Sequence, residues 1–391
     1  MATILEFNDW QLRLLDHNAN QQRCEVAAAS FDKRNSKQLQ FGDMSLKQAR
    51  VDPQQFSNRY LMAMNAEPLR TSFGQAKNLA DLVYHHLNSI SHELGDEQTI
   101  FAVPGYFSNE QLGLLLGIAQ HANINTLGFV DSALLYTHAT PSLPEEFEFI
   151  DLELHRICAT PMVCEDNVLK VLSSRPIEGF GIYSAIDGWM NLAADEFIQH
   201  TRFDPLHTGA CEQQLQDQVV DWITQGQLQT KITVEHSGNL REVEISQSVL
   251  TSKLSQRFEN LHLEGKNIVV SPRIQAVPGM ADVLREQFAQ HGQNVIYATP
   301  PNKRFLDDIL ELSNPAEIVR IQEIPCLQHA GLNQRDTAPT VETSQVTHLL
   351  NNHRARPISE FDNVPSNIKP GDRIELDEPY TAIVVETAGK A

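Results

Sequence analysis

Thr99-Ile100-Phe101-Ala102-Val103-Pro104-Gly105-Tyr106-Phe107-Ser108-Asn109-Glu110-Gln111 is the stretch on which the fold turns. Residues 99–103 form an apolar run of strand length, and Pro104-Gly105 ends it. Ser108 stands where a helix N-cap belongs, with Gln111 at capping-box spacing and Leu112, Leu115, Leu116 and Ile118 recurring at helical intervals. The pattern repeats at once: 126–130 is strand-like, and Asp131 or Ser132 opens a helix through Leu135 and Tyr136. Such alternation calls for parallel strands joined by crossover helices.

Upstream of that unit, residues 3–7, 11–15 and 23–29 read as strands, with Asn8-Asp9 and 16–20 supplying turn chemistry, so the chain opens on an antiparallel meander. Residues 30–70 are polar and irregular, broken at Asp52-Pro53. A helix follows over 74–94, its apolar positions Leu79, Leu82, Val83, Leu87 and Ile90 spaced by three and four. Downstream a second meander is expected at 148–154, 156–163 and 168–174, with Glu165-Asp166-Asn167 as a turn. Helices at 183–201 and 213–225, a polar two-stranded excursion at 230–235 and 241–245, and a helix at 246–258 come next. A buried strand at 267–270, a helix at 278–290, a strand at 294–297 and a helix at 303–312 complete the pattern. Meander followed by crossover thus occurs twice, which predicts two related lobes, 1–147 and 148–330. Beyond them, 336–347 is polar and Thr-rich and reads as a linker. Short strands at 347–350, 354–358, 370–374 and 380–386 make 331–391 a linker with a small β appendage, too small for a strong core of its own and expected to dock on the body or on a partner.

Composition narrows the function. Of 391 residues 41% are apolar, with 19 glycines and 19 prolines, an ordinary globular make-up large enough for more than one core. Thirty basic against fifty acidic residues leave a net charge of −20, which repels phosphate backbones and argues against a nucleic-acid partner. The start of the chain lacks a signal-peptide pattern, and no apolar run approaches the roughly 18 residues of a membrane span. A cytoplasmic protein without membrane insertion is expected. Cys24, Cys158, Cys164, Cys211 and Cys326 are odd in number, scattered and without a Cys-x-x-Cys pair, and read as reduced, mostly buried thiols.

The run 100–111, followed by Ala119, His121-Ala122-Asn123-Ile124 and Ala133-Leu134-Leu135-Tyr136, resembles the DnaK-type chaperone branch of the actin-like ATPase superfamily over some forty residues. The resemblance implies an α/β, two-lobed actin-like (ribonuclease H-like) ATPase fold, here with a small C-terminal β appendage. In that family each lobe opens with a hairpin whose tight, glycine-rich turn clasps phosphate, because close approach and inward amides need residues without a Cβ. The matching places here are Glu6-Phe7-Asn8-Asp9-Trp10, with no glycine, and Asp151-Leu152-Glu153-Leu154-His155-Arg156, where only Asp151 of the family's acids and glycines survives. The adenosine-side loop, normally a strand followed by paired glycines, resembles 268–274, with Ser271-Pro272 in place of the glycines and Arg273-Ile274 kept. Gly179-Phe180-Gly181 lies where the family has a glycine pair before a helix and reads as a tight turn. The family's catalytic lysine falls near Asn58-Arg59, and its metal-positioning acid near Gly128 or Val130, with Asp131 close by.

By resemblance, then, Asp9, Trp10, Asp151, His155, Gly181, Ser271 and Arg273 are the cleft-lining, cofactor-binding candidates, with no catalytic residue and no metal ligand assigned. A carboxylate such as Glu153 facing triphosphate costs several kcal/mol unless a metal intervenes, and phosphoryl transfer is nearly all positioning and charge stabilisation. The expectation is a scaffold impaired in nucleotide binding that serves as a protein-binding, assembly or regulatory factor, partnered through the β appendage and with no cofactor. The alternative is a divergent chaperone-like ATPase that binds ATP or ADP with Mg and hydrolyses weakly. A sugar or acetate kinase relative shares the superfamily core but finds no acceptor-site acid here. His85-His86 with Glu93 suggests a metal site, against which a solvated helix face is the plainer reading, since no third ligand has suitable spacing. His155 near Asp151 is a histidine that a carboxylate neighbour would tune, or a structural one. No P-loop, Gly-x-Ser-x-Gly or Ser-His-Asp arrangement is present.

Overall fold

The computed structural model describes residues 2–32, 38–71, 73–314 and 317–326, together with the backbone of four strands beyond residue 347. It is mixed α/β and divides into two compact units, Met1–Gly331 and Leu332–Ala391.

The first half of the larger unit begins with β1 (Ala2–Glu6), β2 (Leu12–Leu15) and β3 (Gln21–Glu25). β4 (Ala29–Phe31), β5 (Leu39–Phe41), the one-turn α1 (Asp43–Leu46) and β6 (Phe56–Ser57) follow, then α2 (Leu79–Leu94), β7 (Gln98–Val103), α3 (Asn109–His121), β8 (Thr126–Asp131) and α4 (Ser132–Thr137). The stretch 30–70 is therefore more regular than its polar composition suggests: β4, β5 and β6 form a separate three-stranded sheet. Helix α2 starts at Leu79, where the Asn78 side chain accepts from the Asp81 amide, and Gly74 lies outside it.

The second half holds β9 (Glu146–Leu152), β10 (Arg156–Glu165), β11 (Val168–Val171), β12 (Arg175–Glu178), α5 (Ile182–Thr201) and α6 (Gly209–Thr224). The hairpin β13 (Lys231–His236) and β14 (Asn239–Glu244), α7 (Gln247–Phe258), β15 (Asn267–Val270), α8 (Pro272–Ala276), α9 (Met280–Gln290), β16 (Asn294–Tyr297) and α10 (Lys303–Leu312) come next. Two short strands close the unit: β17 (Arg320–Ile321) and β18 (Glu323–Pro325).

The two main sheets share a five-stranded core topology, to which the second adds β12, paired with β10. The first is ordered β17-β8-β7-β1-β2-β3 and the second β16-β15-β9-β10-β11-β18. In each, a three-stranded antiparallel meander carries two further strands parallel to its first: β1 runs parallel to β7 and β7 to β8, as β9 does to β15 and β15 to β16. Central strands covered on both faces read as continuous apolar runs, and β1 is buried at all five positions. The capping box foreseen at α3 is formed, Ser108 Oγ accepting from the Gln111 amide at 3.2 Å and Gln111 Oε1 from the Ser108 amide at 3.1 Å. At α4 the cap is Asp131, which accepts from the Ala133 amide.

Apolar side chains gather in three clusters among the described residues. One packs α2 and α3 against the first sheet, and another packs α5, α6, α7 and α9 against the second. The third joins the halves, bringing Ile4, Leu15 and Ile100 of the first sheet together with Phe147, Phe149 and Val269 of the second around α4 and α10. The halves also touch at Gly105, where a Cβ would lie 1.8 Å from Ser174 Oγ and 2.7 Å from Asp131 Oδ2. Strands β17 and β18 place the chain's exit from this unit on both sheets in turn.

In the smaller unit β19 (His348–Asn351), β20 (Arg354–Pro357), β21 (Arg373–Glu375) and β22 (Thr381–Val385) form an antiparallel sheet ordered β20-β19-β22-β21. The linker reading at 336–347 lies outside the described residues. No described helix is long and apolar enough to cross a membrane. The five cysteines are free, and all but the half-buried Cys24 are buried.

Candidate functional site

The turn between β1 and β2 faces the turn between β9 and β10, and the two are laced together by polar side chains that are almost wholly buried. Asn8 organises the first turn. Its Oδ1 accepts from the Trp10 amide at 2.9 Å and the Gln11 amide at 3.2 Å, while its Nδ2 donates to Leu152 O at 3.0 Å and reaches Asp151 Oδ2 at 3.4 Å. Asp9 reaches across, its Oδ1 accepting from the Leu154 amide at 2.6 Å. The Glu153 amide donates to Arg156 O at 2.9 Å. The amides of Trp10, Gln11, Glu153 and Leu154, which a phosphate-holding turn would aim at its ligand, all have acceptors within the protein.

Arg273 lies at the centre of the junction and is 2% exposed. Its guanidinium donates to Asp151 Oδ2 at 2.6 Å and also to Glu6 Oε1. Glu6 takes a second arginine, Arg13, whose Nε and Nη2 lie 2.8 and 2.6 Å from Oε2, and a hydroxyl, Tyr136 Oη, at 2.7 Å from Oε1. Burial opposes the charge on Glu6, but Arg13, Arg273 and the Tyr136 hydroxyl outweigh it and hold the carboxyl below its usual range. The Arg273 guanidinium likewise loses by burial and gains more from Asp151 and Glu6, so its pKa is raised further. Arg273 is delivered there by α8: Ser271 caps that helix by accepting from the Ile274 amide, with Pro272 as its first residue. Ser271-Pro272 is thus the start of a helix, and Ser271 is itself buried.

Beside this lattice sits a carboxyl pair, Asp9 and Glu153, one from each half and both fully buried. The Tyr106 hydroxyl donates to both Glu153 oxygens, at 2.8 and 2.7 Å, and Arg156 Nε lies 3.3 Å from Oε2. Burial first and the charge of Asp9 second push the Glu153 carboxyl well above the carboxylate range. Burial also raises Asp9, to about 6, against the pull of the Leu154 amide, Arg156 and Arg59. Among the described residues Asp9 Oδ2 has no hydrogen-bond partner. In the folded chain Asp9 thus takes up its proton near pH 6, against 3.8 for an ordinary aspartate, so the cost of burying its charge is absent at low pH, accrues as pH rises from 3.8 to about 6 and is complete above it. Asp9→Asn is therefore expected to stabilise the protein at pH 8 by about 2 kcal/mol and to have a much smaller effect at pH 4. Thermal melts at the two pH values check this, and an effect equal at both would refute it.

The other candidates lie as follows. The Trp10 indole joins the apolar cluster of the second half and is 6% exposed. His155 Nε2 lies 3.1 Å from Asn58 Oδ1 of the first half; an amide oxygen only accepts, so Nε2 carries the hydrogen. Burial, followed by Arg59 and Arg156, lowers the His155 pKa to about 4, so a neutral imidazole and not an acid-tuned one occupies this place at pH 7. Gly181 approaches the second turn so closely that a Cβ would lie 2.3 Å from Arg156 N. His86 departs from the solvated-face reading. It is buried, with Nδ1 at 2.7 Å from the Tyr60 hydroxyl and Nε2 at 2.9 Å from Glu25 Oε1, because the α2 face that carries it packs under β3 and β5. No group of three or more potential metal ligands occurs among the described residues.

Sequence reasoning reached Asp9, Asp151, Glu153 and Arg273 but missed the arginine and tyrosine partners. Glu6 and Arg13 are directly paired across the β1–β2 hairpin, a signal readable from the strand pairing. Tyr136, Tyr106 and Arg320, whose Nη2 lies 3.0 Å from Asp131 Oδ2, come from distant segments and leave no local mark.

No family model matches the chain, and no curated protein matches it.

Proposed function

We propose that this chain is a DnaK- or actin-like scaffold that has given up nucleotide and acts as a protein-binding, assembly or regulatory factor. The repeated sheet topology, with a hairpin turn of each half meeting at the junction, supports the fold assignment. One observation carries the functional reading: the four turn amides that would cradle phosphate are bonded to Asn8, Asp9 and Arg156 O, and the space between the turns is taken by Glu6, Asp151 and Arg273. A triphosphate entering there would have to displace a buried charge network and face Glu153. Such displacement costs several kcal/mol before any contact forms.

On this reading the four-stranded C-terminal unit is the natural contact element, since sheet edges recruit other chains by strand addition. Calorimetric titration with Mg-ATP and Mg-ADP, combined with a phosphate-release assay, is expected to give neither binding heat nor turnover. Binding together with turnover would place the chain among divergent ATPases, and the scaffold reading would fall.

A further inference from the structure

Strands β10, β11 and β18 lie side by side in the second sheet, and their registers put two thiols on one face. Cys164 of β10 pairs with Leu169 of β11, and Leu169 with Ile324 of β18. The Cys326 amide donates to Asn167 O at 2.7 Å, which carries the ladder one step past β18. Side chains alternate along a strand, so Cys326, two residues beyond Ile324, shares its face. All four residues belong to the apolar cluster that joins the halves, with Cys164 5% exposed and Cys326 8%. There the two cysteine side chains hydrogen-bond to each other. Both are free thiols. Cys158 and Cys211 meet other groups, Thr160 Oγ1 at 3.7 Å and His236 Nδ1 at 3.5 Å. Among the described residues no third metal ligand joins the pair, so oxidation is the chemistry open to two adjoining sulfurs.

We infer that Cys164 and Cys326 form a reversible disulfide that locks β18, the exit strand of the larger unit, onto the second sheet. The oxidant is a hydroperoxide. The Cys326 thiolate attacks one peroxide oxygen, the O–O bond breaks with its electron pair leaving as hydroxide, and a sulfenic acid remains. The Cys164 sulfur then attacks that sulfur: the S–S bond forms, the S–O bond breaks, and the hydroxyl leaves as water with the Cys164 proton. Two thiols and one hydrogen peroxide thus give one disulfide and two waters. The roles follow from place. Burial first, then the hydrogen bond with Cys326, pushes the Cys164 thiol up to about 12, which suits it to the second step and not to the first. Cys326 follows a strand of three residues, which opens locally at small cost and bares its sulfur. The bond would tie β18 across β11 to β10, a few residues before the smaller unit begins at Leu332. Oxidised, the strand cannot leave the sheet; reduced, it can. The inference is independent of the loss of nucleotide proposed above.

The test treats the full chain with hydrogen peroxide, blocks remaining thiols with N-ethylmaleimide in denaturant, and maps the digest by mass spectrometry without reduction. A loss of two hydrogens and one crosslinked peptide joining Cys164 to Cys326 are expected. The oxidised chain should melt about 10 °C higher than the reduced one, because the crosslink closes a loop of more than a hundred residues, and dithiothreitol should reverse the shift. Cys326→Ser and Cys326→Ala should each abolish the crosslink. In Cys164→Ser the sulfenic acid should persist on Cys326 and be trapped by dimedone, a readout that a merely structural thiol would not give. Cys158→Ala should leave the crosslink intact. An unchanged mass, a bond to another cysteine or between two chains, or a crosslink that leaves the melting temperature where it was would each overturn the inference.

Discussion

Arg273→Met will lower the melting temperature by roughly 10 °C, the largest loss expected from any single change at the junction. The side chain is buried, holds Asp151 at 2.6 Å and shares Glu6 with Arg13. Methionine fills most of the volume but leaves Asp151 without its ionic partner and Glu6 with one arginine in place of two. Breaking a buried pair by removing one member costs about 3–5 kcal/mol, because the remaining charge is stranded away from water. For a domain of this size each kcal/mol is worth roughly 2–4 °C. Thermal and urea melts measure the loss. Adding Asp151→Asn to Arg273→Met should restore about half of it, since the stranded charge and not the missing contact dominates. A single variant within about 2 °C of the parent would show that the network is solvated and that the junction is looser than described.

Gly181→Ala should cost about 3 kcal/mol, at the upper end of what overpacking exacts. The penalty does not come from backbone strain, as φ at Gly181 is −75°, an angle any residue adopts. It comes from contact: the new Cβ would sit 2.3 Å from Arg156 N and from His155 C, which are backbone atoms of the β9–β10 turn and cannot rotate aside. The start of α5 would have to retreat, breaking the amide bonds from Ile182 to Glu153 O and from Tyr183 to Leu154 O, at 3.1 and 2.9 Å. Gly179→Ala is the control. Its φ of +84° makes substitution strained, but nothing lies within 4 Å, so the expected cost is about 1 kcal/mol. Comparable losses at the two glycines would argue against close approach as the reason for Gly181.

The parts of this fold that sequence reveals are those set by local chemistry. The Pro104-Gly105 stop, the Ser108 and Gln111 capping box and the alternation of apolar strands with amphipathic helices depend on neighbours a few residues apart, and all appear in the structure. The three-stranded sheet within 30–70 was not legible, because its strands are two or three residues long and are held by pairing partners up to 28 positions away. Strands β17 and β18 were missed for the same reason. At the junction the turn chemistry of Asn8-Asp9 could be read directly. What holds the turns together could not: Asn8 folding its side chain onto the Trp10 and Gln11 amides is local, but Arg273 meeting Glu6 spans 267 positions. Charge type at such distances has no sequence periodicity to betray it.

Strands β17 and β18 also set how the larger unit bears load. Phe129 N donates to Val319 O at 3.0 Å on one sheet, and Val171 N donates to Gln322 O at 2.9 Å on the other, so the two sheets are stitched to the same seven-residue ribbon, 319–325, with Gln322 alone between its strands. Arg320 rivets the ribbon to the Pro104-Gly105 corner through Phe107 O at 3.0 Å and Gly105 O at 2.7 Å. Tension applied to the chain beyond Cys326 meets β18 first and reaches the first sheet only through one residue of slack. A pull that peels β18 must next shear β17 and its arginine rivet, so a force ramp applied there would release the C-terminal ribbon in two resolvable steps before either sheet opens.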